Sequence, residues 1–137
     1  MKTIKRTLLF LGLTLFTFSC SKDESENEPS IVGKWNYSKI DNTDDGVENF
    51  VDYVQDDSSC SKDNYNFVAN GNFEDTSFIT DTSPCEVYAS VGTWVKNGTG
   101  LKLSLDGDGV YNFEILKLTE TELKLKLDSS FSIILVR

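Results

Sequence analysis

The acidic segment DNTDDGVENFVD, residues 41–52, has carboxylates at a spacing that could bind calcium. Counted from Asp41 as position 1, Asp45 falls at position 5, a glycine at position 6 and Asp52 at position 12, which approaches the order of an EF-hand loop. Position 12 is Asp instead of the usual bidentate Glu, and Asp-Gly is also a common turn sequence. We therefore expect a turn without a metal, with Asp41, Asp45 and Asp52 as the candidate ligands for any cation that does bind.

Other groups with catalytic chemistry are scarce in this chain. The 137 residues include no histidine, which removes the commonest general base and the commonest zinc ligand. The sequence also has no Gly-x-Ser-x-Gly nucleophile motif and no phosphate-binding loop. Its 22 acidic residues make some close carboxylate pair inevitable, so such a pair is no evidence for glycoside hydrolysis. We predict a protein that is not an enzyme and uses no cofactor.

The first thirty residues are organised like an export signal followed by a tether. MKTIKR is basic, TLLFLGLTLFTF is an apolar run too short for an ordinary spanning helix, and Ser19 then precedes Cys20. This order resembles the lipobox of bacterial lipoproteins, which implies cleavage before Cys20 and acylation of its thiol. The alternative is an ordinary signal peptide with an incidental cysteine. The polar run SKDESENEPS then favours a solvated tether, and its start resembles the export signals of Bacteroidota surface lipoproteins.

These features predict three regions, namely a signal peptide at 1–19, a lipid-anchored tether at 20–30 and a folded domain at 31–137. We expect acylated Cys20 to hold the chain in the outer membrane, with the domain exposed at the cell surface. The first nineteen residues contain three of the 13 basic residues and no acid, so the rest has 10 basic and 22 acidic residues and a net charge of −12. Such a surface repels nucleic acids and anionic headgroups, and we expect neither as a partner.

The two remaining cysteines, Cys60 and Cys85, form an even pair outside the cytoplasm, which predicts a disulfide. The bridge would close a loop of about 25 residues and stabilise the fold by about 3 kcal/mol. A reactive thiol pair is the alternative, but the chain has neither CxxC spacing nor a histidine that would lower a thiol pKa.

From Ile31 onward, short alternating runs of apolar and polar residues predict an all-β fold. Eight runs, from GKWNYSKI to FSIILVR, are enough for a small antiparallel up-and-down barrel. The Asn-Gly dipeptide at 70–71 predicts a hairpin with Ala69 opposite Asn72, and a change of phase predicts a bulge near Leu116. Apolar residues at helical spacing within 47–54 predict a short helix or an irregular lid, although their β-branched side chains favour a strand.

Aromatic residues at alternate strand positions could line an apolar pocket inside the barrel. The candidate ligand-binding residues are Tyr37, Tyr65, Phe67, Trp94, Tyr111 and Phe113. Aromatic side chains at such positions also fill ordinary cores, so the sequence leaves both a pocket and a packed interior open.

Several segments resemble the lipocalins. IVGKW looks like the Gly-x-Trp motif of the first lipocalin strand, and CSKDNYNF and VGTWVK look like the small lipocalin-like domains of Bacteroidota lipoproteins. The resemblance covers residues 31–137 and implies that Arg137 stacks over Trp35 at the closed end of the barrel. It also implies a non-catalytic protein that binds a small apolar or amphipathic ligand. The alternative, which the small size of the domain favours, is a surface-displayed structural or protein-interaction module with a filled barrel.

Overall fold

The structure, a computed structural model, describes residues 28–43, 47–55, 59–79 and 85–137. Within these ranges the chain forms strands and no helix. The strands are β1 (Gly33–Asp41), β2 (Val51–Asp52), β3 (Asn64–Phe67), β4 (Asn72–Ile79), β5 (Glu86–Asn97), β6 (Gly100–Leu105), β7 (Gly109–Leu118), β8 (Glu122–Asp128) and β9 (Phe131–Val136). From β3 onward each strand pairs with the next, and β1 pairs with both β3 and β9. The predicted all-β fold with an eight-stranded antiparallel barrel is therefore confirmed.

The core is built by the alternation read from the sequence. In β8, for example, Leu123 and Leu125 are fully buried while the lysines between and beside them are partly exposed. Neighbouring strands place inward residues opposite each other, as Leu125 of β8 and Ile133 of β9 show. The buried apolar residues are Ile31, Trp35, Tyr65, Phe67, Phe73, Leu101, Leu103, Phe113, Ile115, Leu123, Leu125, Ile133 and Leu135. Each large side chain removed from water in this way contributes roughly 1.5–3 kcal/mol before the entropy of ordering is subtracted.

The register predicted for the β3–β4 hairpin is wrong by one residue. Phe67 lies opposite Phe73, whereas Ala69 opposite Asn72 would have placed Phe67 opposite a glutamate. The backbone N–H of Gly71 donates to the carbonyl of Val68 (2.9 Å), and Gly71 has φ +89°, a conformation that glycine adopts easily. This three-residue loop lets both phenylalanines point inward, and their burial accounts for the observed register.

The predicted bulge near Leu116 and the predicted disulfide between Cys60 and Cys85 are both confirmed. Ile115 lies opposite Leu125 but Lys117 lies opposite Lys124, so the extra residue of the bulge is Leu116, whose side chain is partly exposed. Cys60 and Cys85 form a disulfide with their Cα atoms 5.9 Å apart. The bridge joins the segments that lead into β3 and β5.

The helix predicted within 47–54 is absent, which corrects that expectation. The segment instead contributes the two-residue strand β2, with Val51 opposite Ile40 of β1. The helical spacing of the apolar residues does not produce a helix here. Three of the four side chains, Val47, Val51 and Val54, are exposed and form no common buried face. In the residues that the structure describes, no helix is long and apolar enough to cross a membrane.

The closed end of the barrel is sealed by Trp35 and Arg137. The Trp35 indole is fully buried and donates through Nε1 to the carbonyl of Ile31 (2.7 Å), and the Arg137 guanidinium lies 4.1 Å from the centre of the indole ring. A Cβ atom on Gly33 would approach Arg137 Nη1 to 3.2 Å, and Gly33 has φ +127°. Glycine in the Gly-x-Trp motif therefore makes room for the arginine.

Arg137 also ties three chain segments together through backbone carbonyls. Its guanidinium donates to the carbonyls of Val32 (2.9 Å), Ser30 (3.0 Å) and Glu120 (2.6 Å). These bonds join the N-terminal segment, the β7–β8 turn and the end of β9, which makes Arg137 a structural element of the closed end.

We expect Arg137→Met to lower the free energy of unfolding by about 2 kcal/mol, because it removes three charge-assisted hydrogen bonds and the contact with Trp35. Arg137→Lys should recover only part of the loss, since an ammonium cannot reproduce the planar fork of donors. Chemical denaturation measures the difference. Lys102→Met, on an exposed β6 position, is the matched control, and a loss no larger than the control's would contradict the assigned role.

Candidate functional site: a cavity at the open end of the barrel

A cavity of about 280 Å³ lies at the open end of the barrel, opposite Trp35 and Arg137. The turn between β6 and β7 and the start of β9 border it. Its lining residues are Tyr65, Asp75, Leu103, Asp108, Tyr111, Phe113, Leu127 and Phe131. Most of them occupy inward positions of β3, β4, β6, β7 and β8, so the cavity continues the core toward solvent.

The floor and walls of the cavity are aromatic and apolar. Leu103, Phe113 and Tyr65 are almost fully buried. The Tyr65 ring is held edge-to-face by Phe73 at 5.1 Å and by Tyr37 at 5.2 Å between ring centroids. Because packed neighbours fix these rings, the cavity is preformed.

Tyrosine hydroxyls provide the polar groups on one side of the cavity. Tyr37 donates to Asp75 Oδ1 (3.2 Å), and its ring also packs edge-to-face on Tyr53 at 5.0 Å. Burial, and then the neighbouring Tyr65 and Asp75, raise the pKa of Tyr37 far above its usual range. Burial, with the charge of Asp75, raises the pKa of Tyr65 to about 12. Both hydroxyls therefore stay protonated at neutral pH.

Two carboxylates reach the cavity from different elements. Burial raises the pKa of Asp75, the hydrogen bond from Tyr37 lowers it, and the negative charges of Asp63 and Asp108 raise it, so that together they bring the pKa to about 6. Asp108, in the β6–β7 turn, accepts a hydrogen bond from the Tyr111 hydroxyl (2.9 Å), which raises the pKa of Tyr111. Each carboxylate is thus held by one tyrosine.

The structure brings together some of the six aromatic residues singled out in the sequence. Tyr65, Tyr111 and Phe113 line the cavity, and Tyr37 reaches it through Asp75. Phe67 and Trp94 do not line it. They pack on each other at 5.6 Å nearer the closed end, where Trp94 Nε1 donates to the carbonyl of Val68 (2.9 Å).

Sequence reasoning did not select Asp75 as a site residue, although one signal was available. Asp75 follows Phe73 by two positions and therefore faces the same side of β4, inside the barrel. A carboxylate at an inward position is rare unless it has a role or a partner. The alternation of β6, β8 and β9 also predicts inward positions for Leu103, Leu127 and Phe131, but no local pattern indicates that they border a void.

The carboxylates of the acidic segment have separate local partners. Asp41 Oδ1 accepts from the N–H (3.0 Å) and the hydroxyl (2.7 Å) of Thr43, and Oδ2 accepts from the N–H of Asn49 (2.9 Å). The bonds from Thr43 lower the pKa of Asp41. Asp52 forms an exposed ion pair with Lys39 (3.4 Å). Asp45 lies outside the described residues, and among those described no group of three potential ligands is placed to hold a metal.

Two open depressions lie on the outer surface of the sheet. The first, of about 420 Å³, is bordered mainly by exposed residues of β4 and β5 such as Asn72, Val91 and Thr93. The second, of about 330 Å³, lies across β5, β6 and β7 and includes Val95 and Lys102. Neither has the inward-facing aromatic walls and buried polar groups of the smaller cavity, which is therefore the better candidate site.

Comparison with known proteins identifies the family. A family model described as a lipocalin-like domain matches residues 31–125. This chain belongs to the lipocalin-like domain family. A lipocalin-like protein from Bacteroides uniformis has a similar structure, with a TM-score of 0.58 and 17% identity over 77% of this chain and 96% of that chain.

An uncharacterized protein from Bacteroides eggerthii is also similar, with a TM-score of 0.57 and 15% identity over 79% of this chain and 99% of that chain. At these identities the two structures show the shared lipocalin-like fold. No curated protein matches the chain.

We expect Asp75 to make folding stability depend on pH. Its pKa is about 6 in the folded state and about 3.9 in an unfolded chain. The folded state therefore holds this proton more tightly, so the contribution of Asp75 to stability is fully present below about pH 4 and is lost as the pH rises through about 6.

Replacing Asp75 by Asn keeps an oxygen acceptor for Tyr37 and removes the titration. Between pH 4 and 7 the wild-type free energy of unfolding should fall by on the order of 1 kcal/mol more than that of Asp75→Asn, after allowance for solvent screening. Urea unfolding at several pH values measures this difference, with Asp106→Asn in an exposed turn as the control. Equal pH slopes for wild type and Asp75→Asn would contradict the assignment.

Proposed function

We propose that this chain is a non-catalytic lipocalin-like lipoprotein that binds a small amphipathic molecule at the open end of its barrel. The observation that carries this proposal is the cavity of about 280 Å³ with aromatic walls and two carboxylates. Ligand sites typically enclose about 300–1,000 Å³. A cavity just below this range fits a compact ligand with one or two rings.

The lining of the cavity favours binding over catalysis. Its eight residues include no histidine, cysteine, serine or lysine, so the two carboxylates are its only groups that could act as a base or nucleophile at neutral pH. The tyrosine hydroxyls keep their protons at neutral pH because burial raises their pKa values. The Tyr65 hydroxyl lines the cavity and can orient a ligand as a hydrogen-bond donor, whereas the Tyr37 hydroxyl already donates to Asp75, and both are poor proton acceptors.

Lipid anchoring and display at the outer membrane surface are part of the same proposal. They rest on the N-terminal sequence, in which an apolar run leads to Ser19 and Cys20 and a polar run follows. Cys20 lies outside the described residues. An acyl chain on Cys20 would hold the chain at the bilayer, and the polar run would separate the domain from it.

A protein-interaction module is the second candidate function. Val87, Val91 and Val95, at every fourth position of β5, are each more than half exposed on the outer face of the sheet. Such a row of exposed apolar side chains is a feature of contact surfaces. The closed half of the barrel is also filled by its own residues, including Trp35 and Phe67.

A cavity-filling substitution tests ligand binding. Leu127→Trp should fill the cavity without altering the deeper core, because Leu127 lines the cavity and is only partly buried. We expect a small molecule to co-purify with the wild-type chain from its own host and to be at least tenfold depleted in Leu127→Trp, as measured by solvent extraction and mass spectrometry.

The matched control is Val110→Trp, at an exposed position of β7. It should retain the small molecule. If wild type, Leu127→Trp and Val110→Trp all yield the same extract, the interaction module becomes the better proposal.

The lipid anchor is tested by metabolic labelling with palmitate. We expect the wild-type chain to incorporate the label and to sediment with membranes, and Cys20→Ala to lose both properties because its side chain cannot form the thioester or thioether to lipid. Cys60→Ser, which removes a cysteine of the disulfide, is the control and should remain labelled. Unchanged labelling of Cys20→Ala would refute the anchor.

A further inference from the structure

We propose that the cavity selects a small organic cation, in which a protonated amine is attached to an aromatic or other apolar body. This inference rests on the proposed function and adds the charge of the ligand. It follows from the uncompensated negative charge of the cavity and from the rings that surround it.

The negative charge comes from Asp75 and Asp108, which reach the cavity from β4 and from the β6–β7 turn. No lysine or arginine is among the eight lining residues, and neither carboxylate forms an ion pair within the part of the chain that the structure describes. Each accepts a hydrogen bond from a neutral tyrosine hydroxyl, Tyr37 or Tyr111. Asp108 is exposed, whereas Asp75 is partly buried. A carboxylate that is partly removed from water without a counter-charge is unfavourable, and a cation bound beside Asp75 would remove that penalty.

A third carboxylate adds to the negative potential. Asp63 is buried and accepts hydrogen bonds from the N–H of Phe78 (2.8 Å) and from the Tyr53 hydroxyl. Its negative charge raises the pKa of Asp75. The whole chain has a net charge of −9. Both the local and the overall potential therefore attract cations and repel anionic ligands such as fatty acids.

The lining favours an organic cation over a metal ion. Calcium needs six to eight oxygen ligands, whereas this cavity offers two carboxylates, each of which already accepts a hydrogen bond from a tyrosine hydroxyl. Tyr65, Tyr111, Phe113 and Phe131 instead present four aromatic rings. Aromatic faces attract alkylammonium groups and also bury the apolar body of a ligand.

The pH dependence of binding follows from the groups around Asp75. Tyr37 faces it from β1, Tyr65 from β3, Asp63 from the segment before β3, and Asp108 from the β6–β7 turn. The two tyrosines do not titrate near neutral pH because their pKa values are raised. Protonation of Asp75, with its pKa of about 6, should therefore weaken cation binding about fivefold between pH 7.5 and pH 5.

Three probes of similar shape and different charge test the inference, namely tryptamine, 3-propylindole and indole-3-propionate. Calorimetry on the full chain in zwitterionic nanodiscs, with empty nanodiscs as the blank, gives their affinities. We expect tryptamine to bind at least tenfold more tightly than the neutral and the anionic probe. Asp75→Asn and Asp108→Asn should each reduce tryptamine affinity about tenfold, and Asp75→Asn should also remove most of the pH dependence. Asp106→Asn, in the same turn as Asp108, should change neither.

Equal or tighter binding of 3-propylindole or indole-3-propionate would overturn the cation inference and leave the proposed binding function in place. Binding of tryptamine that is unaffected by both Asp75→Asn and Asp108→Asn would also overturn it. If none of the three probes binds, the inference fails, and the co-purification test with Leu127→Trp then decides separately whether the cavity holds any ligand.

Discussion

The fold depends on the pairing of β1 with β9, which joins the two ends of the folded domain. β1 pairs with β3 along part of its length and with β9 along the other edge, so every barrel strand has two neighbours. Without the β1–β9 ladder the sheet would have two open edges and its inward residues would face solvent. Arg137, directly after β9, reinforces this closure through the carbonyl of Val32 and the ring of Trp35. The cavity exists only because this closure holds the walls at a fixed separation.

The inward side chains become smaller and more polar from the closed end to the open end of the barrel. The pairing of β4 with β5 shows this change. Near the closed end the buried Phe73 lies opposite Gly92, where the lack of a side chain makes room for the backbone of Ser104 and Leu105 in β6. Two residues further along, Asp75 lies opposite Ser90, a pair that is smaller and polar. A close-packed aromatic core therefore ends where inward positions carry short polar side chains. That change of residue size, together with the elevated pKa of Asp75, defines the candidate site.

Local patterns in the sequence predicted most of the fold, since alternation determines which strand residues face inward. A change of phase in the same alternation located the bulge at Leu116, and the even pair of cysteines in the folded domain predicted the disulfide. It placed the β3–β4 register one residue off because an Asn-Gly dipeptide fits loops of two or three residues, and the choice depends on which side chains are buried. The cavity could not be predicted, because its lining residues meet across the barrel and lie far apart in the chain. Local signs of the site were the alternating aromatic residues Tyr65, Tyr111 and Phe113 and the inward carboxylate of Asp75.

The contacts of the N-terminal segment place Glu28 and Ser30 near the closed end of the barrel. Ser30 is held by Arg137, and Glu28 forms an ion pair with Lys96 near the closed end (3.2 Å), so the chain enters the domain on the side away from the cavity. With the anchor proposed at Cys20, the closed end would face the bilayer and the opening would face the surrounding medium. A ligand would then exchange directly with the aqueous phase, without passing through the lipid. If the proposed surface display holds, capture of solutes from the aqueous phase would fit this orientation better than extraction of lipids from the membrane.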